Sequence, residues 1–523
     1  MQGKLTIRGE KGSTLTATVG ENYYEWLKFP LVKNSDYEIL MSNLEVSIAY
    51  LSGNDNILEE GICFLTFDPD VKKIQGKQLS DFYDTPYREQ YHFVPFKNWI
   101  NDPNGLCWYK GKYHLFYQAN PHSQKWDNMY WGHAASPDLI HWVHLPYVFE
   151  PQKEILKNPA LKGGAFSGCA VPFKDEVYFY LTRHLGPLED GDSTLEWQTM
   201  TKSRDMLNFD EEKVIIRSKP AGVGHDFRDP KVFRANGKWY LVLGANLNGD
   251  SAILLYSSSD LCNWTYENPL ILEKDRRSTT FECPDCFELD GKYVAVGAMM
   301  NHVDEHNRRQ MTKYYVGNFE NQTFHVAASG LFDFGGNLYA VQSFEHEGRR
   351  IAIGWISDFY GEHIRVPNGA YGSFSIPRVL SLHNFRLHME PVPEIYSLKE
   401  KAIYSGRGEN VSLQGIKGNS YYAKLEFCGS TDFNILLGEN GGSSISLQRL
   451  NGVTKIKTVG VKSENVDFVS DAEDIENIEI FVDRRVVEVY LNHGYSVGTK
   501  LFYNATKNGV FKAVFDHQDA VAK

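Results

Sequence analysis

The sequence predicts an all-β protein: a five-bladed β-propeller over residues 86–390, a C-terminal β-sandwich over 391–523, and an extra small β module over 1–85. Three observations carry this reading. No stretch of useful length shows the apolar period of a helix. A turn followed by an apolar, aromatic strand recurs five times at intervals of roughly 55 to 65 residues, the range of propeller repeats. Beyond Pro391 and Pro393 the pattern changes to meandering strands punctuated by Gly and Asn, as in a sandwich.

Composition sets the limits. A chain of 523 residues exceeds what one ordinary core organises. Aromatic residues make up 14%, mostly Tyr and Phe, which favours strands. The formal charge of −12 argues against nucleic acid or an anionic membrane surface as partner, and no apolar run is long enough to span a bilayer. Met1 to Arg8 lacks the apolar segment of a secretory signal, so the expected location is cytoplasmic. The seven cysteines are scattered; Cys283 and Cys286 have no second pair to complete a zinc site, so the expectation is reduced thiols, no metal and no cofactor.

In chain order, Lys4–Ile7, Thr14–Val19, Tyr37–Met41, Leu44–Tyr50 and Gly61–Phe67 read as short strands of a small sandwich. Tyr23, Tyr24 and Trp26 are candidates for sugar contact there, with packing the commoner use of such rings. A polar connector, Gln78–Glu89, follows. The five repeat units begin near Gly111, Glu176, Gly237, Gly291 and Arg349. A second repeat, a Ser-Asp turn followed by an aromatic, runs through Ser136 to Trp142, Ser203 to Phe209 and Ser259 to Trp264. It is expected to join outer strands within blades.

Three acidic motifs stand just before repeat strands: Asn101-Asp102-Pro103-Asn104-Gly105, Arg228-Asp229-Pro230 and Glu282-Cys283-Pro284-Asp285. Equivalent positions of a radial repeat converge on its central channel, so these carboxylates are expected to share one pocket. Glycoside hydrolysis needs such a set, one carboxylate at the anomeric carbon and another protonated toward the leaving oxygen. Crowding and burial raise the pKa of the least solvated acid. Glu282, with the longer side chain, is the expected donor, and Arg228 is expected to pair with Asp229 and keep it ionised.

These three motifs resemble the signatures of glycoside hydrolase family 32, the invertases, levanases, inulinases and related fructosyltransferases. Leu115 to Gln118, Trp131 to Ala134, Phe166 to Gly168, Gly354-Trp355, Ile376 to Arg378 and Ile480 to Tyr490 are similar to further family segments, so the resemblance covers about residues 88–523. It implies a propeller plus sandwich and a retaining double displacement on a terminal β-fructofuranosyl unit. It gives Asp102 the nucleophile's role, Glu282 the acid/base role and Asp229 that of transition-state stabiliser. Asn101, Gln118, Trp126, Ser167 and Arg228 would line the fructose pocket, with Phe166, Cys283 and Trp355 beside it. Cys283 would tune Glu282 by packing and a weak S–H contact. Two departures stand out. Asn337 and Leu338 replace an Asp and a Phe common in the family, which places Asn337 on the leaving-group side as a substrate contact. The first module is absent from simple invertases; it narrows the mouth, mediates a homo-oligomer or binds a longer fructan, and the terminal sandwich is the other surface for self-association.

The leading expectation is a hydrolase releasing fructose from sucrose or short fructo-oligosaccharides. A fructosyltransferase and a sucrose-6-phosphate hydrolase remain open; Arg308 and Arg309 are the candidate phosphate pair, with a solvated loop as the plainer reading. A fructan-binding propeller would have lost at least one acid, and an arabinan-cleaving enzyme fits the motifs less well.

Overall fold

The structure, a computed structural model, describes residues 3–522 apart from 11–13, 20–25, 68–69, 159, 188–193, 409, 430, 504–505 and 517–519. Five sheets form the blades, each made almost entirely of antiparallel neighbours in sequence order. Their innermost strands are Asn98–Tyr109, Lys162–Phe173, Val223–Ala235, Thr280–Leu289 and Leu338–His346. The fifth blade closes the ring: its outer strands Arg378–His383 and Arg386–Pro391 come after a long excursion in which Ala370–Tyr371 pairs in parallel with Asn98–Trp99 of blade 1.

Local chemistry explains the two repeats. Between the first and second strands, Lys110-Gly111, Asn236-Gly237, Asp290-Gly291 and Glu347-Gly348 all take positive φ, from 48° to 80°, at both central positions. That is the hairpin turn whose twist matches a right-twisted strand pair, and it requires Gly or a tolerant residue. Between the third and fourth strands, Asp138, Asp205 and Asp260 each accept the backbone N–H groups two and three residues on, at 2.7 to 3.0 Å. Leu139, Met206 and Leu261, immediately after them, are held at φ 66° to 69° and buried. The Asp loop thus holds a left-handed apolar residue in place. In the third unit the capping hydroxyl is Ser258, not the expected Ser259.

The sandwich packs two six-stranded sheets over Leu425, Ile435, Leu447, Ile478 and Val489. Its strand Val486–Leu491 is buried along its whole length because its other face docks on the propeller. That interface is ionic as well as apolar. His92 lies between Asp483, 2.9 Å from Nδ1, and Glu488, 3.1 Å from Nε2. Arg378 bridges Glu488 at 2.9 Å and Asp333 at 3.3 Å, and Arg485 pairs with Glu89 at 2.6 Å. All these side chains are buried, and a buried charge is tolerated only when paired and hydrogen-bonded, so the network fixes how the two parts meet.

Among the described residues the first module forms two three-stranded sheets, not the expected single sandwich. One sheet places Gly3–Gly9 between Thr14–Val19 and Tyr37–Ser42; the other joins Ala49–Leu51, Cys63–Thr66 and Lys72–Ile74, so two expected strands are shorter than read. The polar connector opens with a helix, Lys77–Tyr83, where no strand period competes. Trp26 packs against Tyr50, Tyr130 and Tyr147, with centroids 5.4 to 6.2 Å apart, which makes it a packing residue; Tyr23 and Tyr24 lie outside the described residues.

Candidate active site

Each inner strand carries a register shift at the same height: between Ile100 and Pro103, Ala165 and Gly168, Arg228 and Lys231, Glu282 and Asp285, and Tyr339 and Gln342. A bulge sets two residues against one and re-aims the side chains there. Asp102, Ser167 and Asp229 sit inside these bulges, and Glu282 is the last paired residue before its own. Asp229, Cys283 and Ala340 have positive φ of 66°, 46° and 51°, strain of the kind that persists where the surroundings over-determine the backbone.

Asp102 is held by neutral donors. Its Oδ2 accepts from Ser167 Oγ at 2.6 Å and Gln118 Nε2 at 3.1 Å. Asn101 and the Cys283 thiol also bond it, and these contacts pull its pKa down while burial, the larger effect, pushes it up. Gln118 in turn donates to Ser167, so the two act as one cradle. Asn101 receives the Trp99 indole N–H on its Oδ1 at 2.7 Å, so part of its role is to position the backbone next to Asp102.

Glu282 is held differently. Oε1 accepts from Arg228 Nε and Nη2 at 3.2 and 3.1 Å, while Oε2 accepts from the Tyr339 hydroxyl at 2.7 Å. Burial raises its pKa most, Arg228 opposes that, and the charge of Asp102 adds to it, for a net rise. Asp229 is raised well above the carboxylate range by burial and by both neighbouring carboxylates. The structure therefore brings the three acids close enough to feel one another's charge.

The expected Arg228–Asp229 pair does not form. Arg228 turns to Glu196 at 2.9 Å, Asp226 at 2.6 Å and Glu282, whereas Asp229 Oδ2 accepts the Cys283 N–H at 2.8 Å and the Asp229 N–H goes to Thr182. The left-handed backbone at Asp229 sends neighbouring side chains apart. The Cys283 thiol bonds Asp102 and its N–H bonds Asp229, and it also feels the charge of Glu282. Its thiol is pushed well above its ordinary pKa by burial and by the carboxylates, and stays protonated.

The aromatic residues divide. Trp126 is 47% exposed and meets Phe166 edge-on at 6.2 Å, a position open to a sugar at the mouth. Phe166 stacks on His184 at 4.3 Å, and His184 Nδ1 lies 2.9 Å from Glu196. Trp355 is 8% exposed, packed between Trp99 and Phe359, with its indole N–H unpartnered.

Asn337 is not at the pocket. Its Oδ1 accepts from Lys500 Nζ at 3.0 Å and Leu501 N–H at 3.2 Å, and its Nδ2 donates to the Ser357 carbonyl at 2.5 Å, which seals it at 1% exposure in the interface with the sandwich. An amide suits that place because it donates and accepts at once, which a carboxylate cannot. Arg308 is likewise removed as a phosphate ligand: it is buried against Asp304 at 2.7 Å. The sequence reading missed Glu196, His184 and Tyr339. Glu196 lies on a strand without any motif; Tyr339 was in the segment singled out for Asn337, where the aromatic two residues on was the available signal.

No group of three or more His, Cys, Asp or Glu side chains among the described residues is arranged to hold a metal ion, and no helix among them is long and apolar enough to cross a membrane.

The family models for the N-terminal and C-terminal domains of glycosyl hydrolases family 32 match residues 92–391 and 399–520. The chain belongs to glycosyl hydrolase family 32. Among its relatives, a sucrose-6-phosphate hydrolase from Escherichia coli is 32% identical over 460 residues, 83% of this chain and 92% of that one. A levanase from Bacillus subtilis (strain 168) is 32% identical over 475 residues, 81% and 67% of the two chains. A family 32 structure from Bifidobacterium adolescentis superimposes with a TM-score of 0.93 at 31% identity and covers 100% of this chain and 95% of its own. A Bombyx mori β-fructofuranosidase of the family superimposes at 0.72 with 26% identity over 85% of this chain and 95% of its own. The first module thus has a counterpart in the bifidobacterial structure.

Proposed function

We propose that this protein is a retaining β-fructofuranosidase that releases terminal fructose from sucrose or short fructo-oligosaccharides. The observation that carries the reading is the unequal treatment of two carboxylates on one channel. Asp102 is gripped on one oxygen by Ser167 and Gln118, uncharged groups that orient it without neutralising it. Glu282 has its pKa raised by burial and by the charge of Asp102. In this reading Asp102 attacks C2 of the fructosyl unit while Glu282 gives its proton to the departing glycosidic oxygen. Glu282 then takes a proton from water, which attacks the fructosyl ester and frees Asp102. Asp229, neighboured by both, holds fructose hydroxyls as charge develops on the ring.

Sucrose-6-phosphate is the second reading. It is favoured by the relatives named as hydrolases of that sugar, and exposed Arg309 is the remaining cation of the pair considered for phosphate. The test is chromatography of products from sucrose, sucrose-6-phosphate, 1-kestose, inulin and levan. Fructose should appear in step with substrate loss, with glucose 6-phosphate as the other product from the phosphorylated sugar, and Asp102→Ala should abolish it. Near-normal turnover by Asp102→Ala would refute the assignment; dominant longer oligosaccharides would make the enzyme a transferase.

A further inference from the structure

We propose that the sandwich segment 461–469 builds the leaving-group side of the active site by holding two propeller loops, with Glu362 and Tyr360 as its positioning residues. The inference rests on the acid/base assignment of Glu282.

The leaving group must stand beside the acid that protonates it, on the side of blades 4 and 5. Two loops rim that side. Residues 301–310 follow the strand ending at Met300, whose sulfur lies 3.5 Å from Arg228 Nη2. Residues 357–369 follow the strand ending at Ile356, and Phe359 among them packs edge-on against Tyr339, the partner of Glu282, at 5.7 Å.

Neither loop is held by the propeller alone. The Ser463 N–H donates to Glu362 Oε1 at 2.7 Å, Lys462 Nζ donates to the Gly361 carbonyl, and Lys500 stands 3.7 Å from the other oxygen of Glu362. Phe468 meets the Tyr360 ring edge-on at 5.6 Å. The same segment reaches the first loop: the Asp467 N–H donates to the His306 carbonyl, and Arg308 donates to the Val469 carbonyl, both at 3.1 Å. The loops are joined to each other by the Arg309 N–H on the Tyr360 hydroxyl at 3.2 Å. Each loop is also closed on itself by an aspartate: Asp304 takes the N–H groups of His306 and Arg308, and Asp358 those of Tyr360 and His363. Two preformed loops hung from one sandwich segment move as a unit with it. The cradle of Asp102, by contrast, is built from blades 1 and 2 and has no sandwich partner in its hydrogen bonds.

Displacing the segment should therefore change recognition of the leaving sugar and spare the fructosyl half of the reaction. Tyr360→Phe removes only the hydroxyl joining the loops, Glu362→Ala removes the main anchor, and Glu362→Gln keeps an acceptor for Ser463. The assay compares 1-kestose with 4-nitrophenyl β-D-fructofuranoside, whose leaving group needs neither a proton nor hydroxyl recognition, and measures inhibition by free fructose. The expected result is a loss of about tenfold in kcat/KM on 1-kestose for Glu362→Ala and about threefold for Tyr360→Phe, chiefly in KM. The activated substrate and the fructose inhibition constant should stay within about twofold, and Glu362→Gln should recover most of the loss. Equal losses on both substrates, or none in Tyr360→Phe, would overturn the proposal. A wild-type enzyme that releases no fructose from any sugar would instead overturn the functional assignment beneath it.

Discussion

Tyr339→Phe isolates one hydrogen bond at the reacting centre. The hydroxyl stands 2.7 Å from Glu282 Oε2, and the ring is 3% exposed. The ring remains wedged against Phe359, so the variant should keep its packing. A hydrogen bond to a charged group contributes about 1.5–3 kcal/mol and a neutral one about 1, so the bond favours ionised over protonated Glu282 by about 1.4 kcal/mol. That difference corresponds to about one pH unit. The bond lowers the Glu282 pKa in the wild type, and its removal must raise it. General-acid catalysis needs the protonated form, so activity is lost as pH rises through this pKa. The alkaline limb of kcat/KM on sucrose should therefore move upward by about one unit in the variant, while the acid limb, set by ionisation of Asp102, stays in place. With 4-nitrophenyl β-D-fructofuranoside the alkaline limb should be weak in both proteins, because that leaving group needs no proton. An alkaline limb that stays fixed or moves down on sucrose would refute the assignment of Glu282 as the titrating acid, or of Tyr339 as its donor.

Ser167→Ala makes the converse change. It removes a donor that lowers the Asp102 pKa, so the acid limb should move upward and the working range narrow from below, read from the same profiles. At the interface, the two carboxylates facing His92 outweigh its burial and raise it from 6.5 to about 9. Its stabilisation is fully present below about pH 6.5 and is lost as pH rises through about 9, worth up to roughly 3 kcal/mol. The Tm difference between wild type and His92→Gln should shrink over that window in calorimetric scans. Lys231→Met removes the ammonium that meets Asp285 at 3.3 Å and leaves that buried carboxylate with the Ser343 N–H and hydroxyl as its hydrogen-bond partners, so it should destabilise the protein by about 3–5 kcal/mol in denaturant titrations.

Strands and acids were legible in the sequence because their signals are local. A Gly after a tolerant residue is enough to place a hairpin, and an Asp followed two or three positions later by free N–H groups is enough to place an outer turn. Asn337 was misplaced for the opposite reason. Its partners Lys500 and Leu501 are more than 160 residues away along the chain, and nothing near it in sequence marks a surface that a second fold unit covers. Glu196 escaped notice similarly: it acts on Arg228 from the third strand of another blade, at a distance that only the stacking of sheets creates.

The bulges show why the acidic motifs could be found while their working geometry could not. In a regular strand successive side chains point to opposite faces, which in a propeller means into the two neighbouring blades. A carboxylate aimed at the channel must break that alternation, and a register shift does so at the cost of one unpaired residue. The fold repeats this device in all five inner strands. Blades 1 and 3 use it for Asp102 and Asp229, and blade 4 sets Glu282 at its edge. Blade 2 places Ser167 to hold Asp102. In blade 5 only Ala340 occupies the equivalent point, with Tyr339 beside it on the acid. The proline after Asp102, Asp229 and Cys283 is the sequence trace of three of these bulges, since it cannot donate to the neighbouring strand. The other two lack it, and so the serine and the tyrosine that complete the site carry no mark of where their strands are bent.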